Sequence, residues 1–395
     1  MASELAPVTA SVLKWARQNS GVSVEDAAKR AAVTVERLES WEAGTAEPTL
    51  AKLRVLGTMY GRPLAIFFLP EPPTGYSTPR DFRKLPDEPA RRWSRGLHRV
   101  WRRALEQQDV AVELLEDEDE APVFQVPALT LEMDPEDAGA MARAALGVSL
   151  QTQFGWTKPD DAFYGWLNAV EDHGVLVLRT GDVEVREMRG LSLSSERLPV
   201  IVVNATDTPR GQVFTLAHEF VHLMLHQSGL CNLLEPNDDA TRRTERFCNA
   251  VAAAVLMPAD AFVDHDLVRA PGIRQWDDDQ LARLSNRWGV SREAILRRLL
   301  TLKRASKKLY EAKREEYLDA YAEHREQEKA RRRAQGSKGG PPPYRMAMRD
   351  QGRPYVRLVL DAYERQAITP SSLSNLLGLK LKHLPKLEHE LGLHQ

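Results

Sequence analysis

The side chains best suited to chemistry lie in one short segment, Ala217-His218-Glu219-Phe-Val-His222. Histidines four residues apart lie one turn apart on the same face of an α-helix, and this spacing lets both imidazoles bind one zinc ion. The neighbouring carboxylate, Glu219, can take a proton from water that the metal activates. The segment therefore predicts a Zn²⁺-dependent hydrolase in which His218 and His222 are metal ligands and Glu219 is the catalytic base.

A catalytic zinc ion needs a third protein ligand, and we predict that Glu245 is that ligand. Glu245 lies on a second helical pattern that stops at Pro258, and it shares a face with Asn249 and Ala252. Small alanines on this helix favour close packing against the histidine helix, and Asn249 is expected to support the ligands. The alternative is a surface carboxylate in a first helical turn, where the helix dipole favours negative charge.

Two further side chains near the motif could bind a metal. His226 is an alternative ligand, but eight residues of helix rotate it about 80° from His218, so we predict that it supports the ligands or the structure instead. Cys248 could bind a soft metal, although a small buried residue on a close-packed helix is the simpler interpretation.

Helices and a small sheet must position these residues. Thr208 can cap a helix that has Pro209 in its first turn, so a helix is expected from about 209 to 226. Segments rich in β-branched residues predict three strands before it, at 174–178, 183–193 and 199–204. Periodic patterns predict further helices at 91–115, 134–146, 159–172 and over most of 274–333.

Residues 8–61 predict four or five short helices with a tight turn between two of them, which is the pattern of a helix-turn-helix. The second helix of such a motif enters the major groove of DNA, so the candidate base-reading residues are Thr34, Glu36, Arg37 and Ser40. Residues 1–70 carry 8 basic and 7 acidic side chains, so they offer few phosphate contacts. Binding of duplex DNA and docking of a protein partner therefore both remain open for this domain. An alternative to an endopeptidase is a DNA-binding transcriptional regulator or antitoxin in which the metal site serves structure or sensing.

The central residues resemble the ImmA/IrrE-type metallopeptidases. The resemblance rests on Phe214-Thr-Leu-Ala-His218-Glu219-Phe-Val-His222-Leu, on the segment from Glu245 to Pro258, and on Met188-Arg-Gly190 and Pro199-Val-Ile-Val-Val-Asn204. It implies zinc held by His218, His222 and Glu245, with Glu219 as base. It also implies a substrate that is a repressor of stress-response or mobile-element genes, itself expected to carry a helix-turn-helix.

The N-terminal residues similarly resemble an XRE-type helix-turn-helix fused ahead of the peptidase, through Trp41-Glu-Ala-Gly44 and Pro63-Leu-Ala-Ile-Phe-Phe-Leu69. The expected fold is mainly α with a small β-sheet: a helix-turn-helix domain, then an α+β zincin-like peptidase domain and a helical C-terminal region. The expected divisions are a helix-turn-helix domain, a helical connection, the peptidase domain, a charged helix, a linker and a small helical module, at 1–70, 71–155, 156–300, 301–335, 336–343 and 344–395.

Composition narrows the classes of protein further. The 395 residues include 54 basic and 56 acidic side chains, so a nucleic-acid surface can only be local. Two cysteines are too few for a disulfide framework, and no signal peptide or apolar run long enough to span a bilayer is evident. We expect a cytoplasmic protein with a protein substrate and no membrane partner, with a homodimer as one alternative for its assembly.

Overall fold

The computed structural model describes residues 5–73, 93–115, 124–227, 229–231, 239–335 and 340–392. The chain divides into two compact units, Met1–Leu105 and Glu106–Gln395. Parts of the predicted helical connection at 71–155, of the predicted helix at 91–115 and of the predicted linker at 336–343 lie outside the described residues. The finer division of the chain into six parts stays a prediction.

The first unit is helical and contains the predicted helix-turn-helix. Its helices are α1 (Ala10–Gln18), α2 (Val24–Ala31), α3 (Val35–Glu42), α4 (Leu50–Tyr60), a 3-10 turn (Leu64–Phe68) and the first half of α5 (Arg95–Leu115). Hydroxyl side chains cap α2, α3 and α4, each accepting a hydrogen bond from a backbone N–H three residues later: Ser23, Thr34 and Thr49. Leu13, Leu38 and Leu56 lie in the small core between these helices.

The second unit combines a mixed four-stranded sheet with many helices. Before the sheet lie the second half of α5, α6 (Pro135–Ala145), α7 (Leu150–Gly155) and α8 (Pro159–Glu171). The strands are β1 (Leu176–Thr180), β2 (Gly190–Leu193), β3 (Val200–Asn204) and β4 (Gly229–Cys231). Their order is β1-β3-β2-β4; β1 runs parallel to β3, whereas β2 is antiparallel to both β3 and β4.

The remaining helices of the second unit follow β3. They are α9 (Pro209–Met224), α10 (Asp239–Leu256), α11 (Ala259–Val263), α12 (Asp278–Trp288), α13 (Arg292–Thr301), α14 (Lys307–Gln335), α15 (Pro343–Gln351), α16 (Arg353–Glu364), α17 (Pro370–Leu377), a 3-10 turn (Leu381–His383) and α18 (Leu384–Leu391). This architecture confirms the expected fold class, mainly α with a small sheet. No helix in the described parts of the chain combines the length and apolarity needed to cross a membrane.

Three predicted element boundaries were wrong. The strand expected at 174–178 lies two residues later, at Leu176–Thr180. The expected strand 183–193 is a strand only from Gly190 to Leu193, because the buried side-chain amide of Asn204 donates hydrogen bonds to the carbonyls of Val183 and Met188 and holds the preceding residues as a loop. The histidine helix, expected to reach residue 226, ends at Met224. The backbone of His226 is left-handed, with φ of 53°, so it cannot continue the helix.

Helix α9 is the centre of the second unit's core. It packs against β2 and β3 on one side and against α8 and α10 on the others. Helix α10 is pressed in turn against α6, where a Cβ on Gly139 would overlap the side chain of Ala254. Because both helices are held by close packing, side chains that project from α9 toward α10 have little freedom to move.

The first of the C-terminal helices packs against the sheet. Helix α15 contacts β1, and a Cβ on Gly352, which follows α15, would lie 2.5 Å from the carbonyl oxygen of Val177. The Gln351 amide donates a hydrogen bond to the Leu377 carbonyl at 2.7 Å, which ties α15 to α17. The Thr369 hydroxyl caps α17 by accepting a hydrogen bond from the Ser372 N–H.

Candidate metal centre and adjoining cleft

The motif residues lie on α9, whose start has the predicted cap. The Thr208 hydroxyl accepts a hydrogen bond from the Gly211 N–H at 3.1 Å, and Pro209 occupies the first turn, where its missing N–H costs no intrahelical bond. His218, Glu219 and His222 are 5%, 0% and 0% exposed. The central position of α9 therefore fixes all three side chains in a dry environment.

The two histidines and Glu245 converge on one point. The Nε2 atoms of His218 and His222 lie 3.1 Å apart. Glu245 Oε2 lies 3.3 Å from Nε2 of His218, and Glu245 Oε1 lies 3.2 Å from Nε2 of His222. One ligand atom from each residue can be chosen so that all three lie within 4.8 Å of one another. Two imidazole nitrogens and a carboxylate oxygen form a donor set that suits zinc and leaves coordination positions for water and substrate.

Glu245 reaches the histidines from the first half of α10. Burial alone raises the pKa of its carboxyl, but the charge of His218 and hydrogen bonds from His218 and His222 outweigh burial and lower the pKa below its ordinary value. The carboxyl group is therefore held as a carboxylate, which is the form that binds a metal. Sequence patterning did not distinguish this position from a surface carboxylate, whereas its side chain is only 15% exposed.

Glu219 lies beside the converging ligands, under the first residue of β2. A Cβ on Gly190 would lie 2.7 Å from Glu219 Oε1 and 2.5 Å from Cγ2 of Thr215. Only glycine therefore allows β2 to pass this close to α9 without displacing the Glu219 side chain. Gly190 appeared in the sequence only as part of a family-like segment, and no spacing rule identified its contact with Glu219.

The structure places Cys248, Asn249 and His226 in three different environments. Cys248 is fully buried in the core, and burial raises the pKa of its thiol far above the ordinary range, which confirms the packing interpretation. Asn249 is half-buried and lines the same cleft as His218, Glu219 and Glu245. His226 is exposed beyond the end of α9. The supporting roles of Asn249 and His226 stay predictions.

The candidate metal centre opens into a cleft of about 350 Å³ between α9 and α10 on one side and α13 and the start of α14 on the other. This volume is in the range of small-ligand and peptide subsites. Six arginines line the cleft, contributed by the residue before β2 and by α10, α13 and α14: Arg189, Arg242, Arg246, Arg297, Arg298 and Arg314. The sequence gives no signal for this cluster, because its six arginines are spread over more than a hundred residues and share no spacing.

In the first unit, the predicted base-reading residues lie at the start and along the outer face of α3. Thr34 caps the helix, Glu36 and Arg37 are exposed, and the half-buried Ser40 hydroxyl donates to the Arg37 carbonyl at 2.7 Å. Glu42 on the same helix does not face solvent, because it forms a bidentate ion pair with Arg17 of α1 at 2.6 and 2.8 Å. The outward face of α3 is therefore less acidic than its composition indicates.

Comparison with protein-family models gives two matches. Residues 13–67 match a helix-turn-helix model. Residues 170–300 match the IrrE N-terminal-like domain of the Peptidase M78 family. Residues 170–300 are therefore a Peptidase M78 domain. No curated protein matches the chain.

The M78 domain extends from the end of α8 into α13, so it includes the whole sheet, α9 and α10. M78 is a zincin-like metallopeptidase family, in agreement with the converging histidines and carboxylate. The chain thus joins a helix-turn-helix domain of the DNA-binding type to a peptidase-family domain. Among the arginines of the cleft, Arg314 lies beyond the matched residues.

Proposed function

We propose that this protein is a zinc-dependent endopeptidase that cleaves a regulatory protein such as a helix-turn-helix repressor. The observation that carries the proposal is the convergence of His218, His222 and Glu245 beside the buried Glu219, at the floor of an open cleft. His218, His222 and Glu245 would hold Zn²⁺. Bound there, Zn²⁺ would supply Lewis acidity to water and to a peptide carbonyl.

Glu219 performs the proton transfers in this mechanism. Its carboxylate accepts a proton from the attacking water as the water oxygen bonds to the scissile carbonyl carbon. It then delivers that proton to the amide nitrogen as the carbon–nitrogen bond breaks, which leaves a carboxyl group and an amine. Gly190 holds β2 against Glu219, so the carboxylate is kept in one place through both transfers.

The substrate chain is expected to enter along the cleft rather than pair with β2. Strand β2 has β3 on one side and β4 on the other, so neither of its edges is open to a peptide strand. Binding energy must therefore come from the side chains of the cleft walls, which α10 and α13 provide.

Glu219→Gln tests the proposal, because the variant keeps the shape of the side chain and all three metal ligands. Zinc content should stay at one ion per chain, whereas cleavage of a captured partner repressor should fall about 10²- to 10⁴-fold, as expected for loss of a general base. Glu364→Gln, a change at an exposed residue of α16, is the matched control. Cleavage by Glu219→Gln at the wild-type rate would refute the mechanism.

DNA binding by the first unit is a second function that the structure favours. The matched helix-turn-helix presents Arg37 on an exposed helix whose inner carboxylate, Glu42, is neutralised by Arg17. We propose that α3 enters the major groove, where an arginine can bind guanine through two hydrogen bonds. The competing proposal is that this domain docks the protein substrate, and then the M78 domain acts on what the first unit holds.

Footprinting on the promoter of its own gene distinguishes these two roles. If α3 reads bases, Arg37→Ala should reduce specific affinity by about 1–3 kcal/mol and relax preference at one base pair. Lys14→Ala, on the exposed face of α1, should leave base preference unchanged. A failure to bind any duplex at low salt would assign the domain to protein docking.

A further inference from the structure

The cleft beside the candidate metal centre has an excess of positive charge. Its six arginines face three carboxylates, Glu219, Glu245 and Glu293, and the first two of these belong to the proposed catalytic group. Outside the proposed catalytic group, the cleft is therefore lined by six arginines and one carboxylate.

Four of the six arginines have a carboxylate partner. Arg298 forms a bidentate pair with Glu136 and is 1% exposed, so it is a structural link. Arg189 with Asp207, Arg242 with Asp239, and Arg314 with Glu293 form longer pairs of 3.7, 3.4 and 3.7 Å. Their charge is at least partly balanced within the protein.

Arg297 and Arg246 differ from the other four arginines because no ion pair with a carboxylate is found for either one among the described residues. The Arg297 guanidinium is half-buried and donates two hydrogen bonds to the Tyr310 hydroxyl, at 3.0 and 2.8 Å, so a neutral partner holds it in place without cancelling its charge. Arg246 is exposed and adjoins Glu245 on α10, and no carboxylate in the described parts of the chain forms an ion pair with it. A guanidinium already fixed in orientation loses little entropy when it binds a carboxylate, and such pairs are charge-assisted and directional.

We propose that the cleft selects peptide segments with Asp or Glu side chains flanking the scissile bond, and that Arg246 and Arg297 determine this specificity. The inference rests on the proposed peptidase function and names the substrate class. A peptide places a backbone amide at the candidate metal centre and its acidic side chains near Arg246 and Arg297. A peptide is the favoured occupant because the proposed base and metal ligands of the same cleft suit amide hydrolysis.

Binding is measured first, so that the result does not depend on cleavage. The full-length Glu219→Gln variant, loaded with Zn²⁺, is titrated into fluorescent peptides that are identical except for Glu, Gln or Lys at two positions beside the central bond. At low salt the Glu peptides should bind roughly tenfold more tightly than the Gln peptides, and high salt should reduce the difference. The Lys peptides should bind most weakly.

Arg246→Gln and Arg297→Gln, each made in the Glu219→Gln background, should remove most of the preference for Glu over Gln. Arg357→Gln, at an exposed position of α16 away from the cleft, should keep it. Since Arg246 is exposed, its substitution keeps the test valid even if loss of the contact between Arg297 and Tyr310 impairs folding. Equal binding of Glu and Gln peptides, or an unchanged preference in both cleft variants, would overturn the proposal.

Cleavage then separates this inference from the peptidase proposal. Wild-type protein acting on a library of peptides from a cellular proteome should cut next to acidic residues. Cleavage without that enrichment would overturn the specificity proposal and leave the peptidase intact. Acid-selective binding without any cleavage would refute the peptidase proposal and support the selectivity of the cleft. Stronger displacement of the bound peptide by a single-stranded oligonucleotide than by an acidic peptide of equal charge would overturn the proposal in favour of nucleic acid.

Discussion

Gly190 and Glu219 are in such close contact that the backbone of β2 limits where the carboxylate can lie. A Cβ at position 190 would lie 2.7 Å from Oε1 and 2.9 Å from Cγ of Glu219. Atoms this close must move apart, and Glu219, which is fully buried on α9, has little space to accept the shift. The glycine therefore positions the proposed base without contacting the metal ligands itself.

Gly190→Ala should abolish peptidase activity while leaving metal binding in place. Displacement of Glu219 removes the proton acceptor, so we expect kcat to fall by about 10²- to 10⁴-fold. Zinc content and the unfolding midpoint are measured alongside. Gly181→Ala is the control, because its Cβ would make only an ordinary contact, 3.5 Å from Cγ2 of Thr206. Full activity in Gly190→Ala would show that Glu219 is not held by β2.

Glu245→Ala should lose zinc. Removing one of three protein ligands should weaken zinc binding by more than the roughly 10- to 100-fold that loss of a ligand's supporting partner costs. His389→Ala, at an exposed position of α18, should leave the affinity unchanged. Competition with a chromogenic chelator measures both constants. Comparable zinc affinity in wild type and Glu245→Ala would remove Glu245 from the site.

The ion pair between Arg17 and Glu42 should stabilise the first unit by linking α1 to α3. The two side chains are only 12% and 6% exposed, and the hydrogen bonds that Arg17 donates to the Glu42 carboxylate raise the pKa of Arg17. Glu42→Ala leaves a charge without its partner in a nearly dry site, which costs about 3–5 kcal/mol for a fully buried pair and less here because Arg17 retains some solvent contact. The free energy of unfolding of the first unit, from urea denaturation, measures the loss.

The double variant Arg17→Met/Glu42→Leu provides the control for that prediction. Replacement of both charges by apolar side chains avoids an unpaired ion, so this variant should recover much of the stability that Glu42→Ala loses. If both variants were equally unstable, the packing of α1 on α3 would matter more than the ion pair.

Stability of the second unit should fall as pH rises toward 8, because of Glu171. Burial raises the pKa of this carboxyl to about 8, an effect that Arg353 partly opposes. In the unfolded chain a glutamate has a pKa of about 4.3. Between about pH 4.3 and pH 8 the folded state therefore keeps a proton on Glu171 that the unfolded chain has released. The neutral form therefore stabilises the fold below about pH 4.3, and the contribution is lost progressively up to about pH 8.

Glu171→Gln removes the titration and tests its sign. Relative to wild type, the variant should gain stability as pH increases, by at most about 1.4 kcal/mol per pH unit within the window. Urea denaturation between about pH 5 and 9 gives the two curves. Glu364→Gln, at an exposed position, should run parallel to wild type. Parallel curves for Glu171→Gln as well would mean that Glu171 is not protonated in the folded protein at neutral pH.

Local signals predicted many elements correctly. The helix predicted from the cap at Thr208 begins at Pro209, and the helix predicted over 134–146 spans Pro135–Ala145. Predictions were wrong where a residue distant in sequence determines the backbone conformation. Residues 183–189 were included in a predicted strand but form a loop, because the Asn204 amide donates hydrogen bonds to two of their carbonyls. Strand β4 had no recognisable pattern, since its partner on β2 lies about forty residues away.

The sequence by itself determined the chemistry of the site, because the helical period brings His218 and His222 to one face and leaves Glu219 beside them. It also placed Glu245 on a second helix, where close packing of alanines made it a candidate ligand. Only the tertiary structure decided the distances among these groups, the close approach of Gly190 to Glu219, and the arginines that line the cleft. These features depend on contacts between segments far apart in the chain, and no local periodicity encodes such contacts.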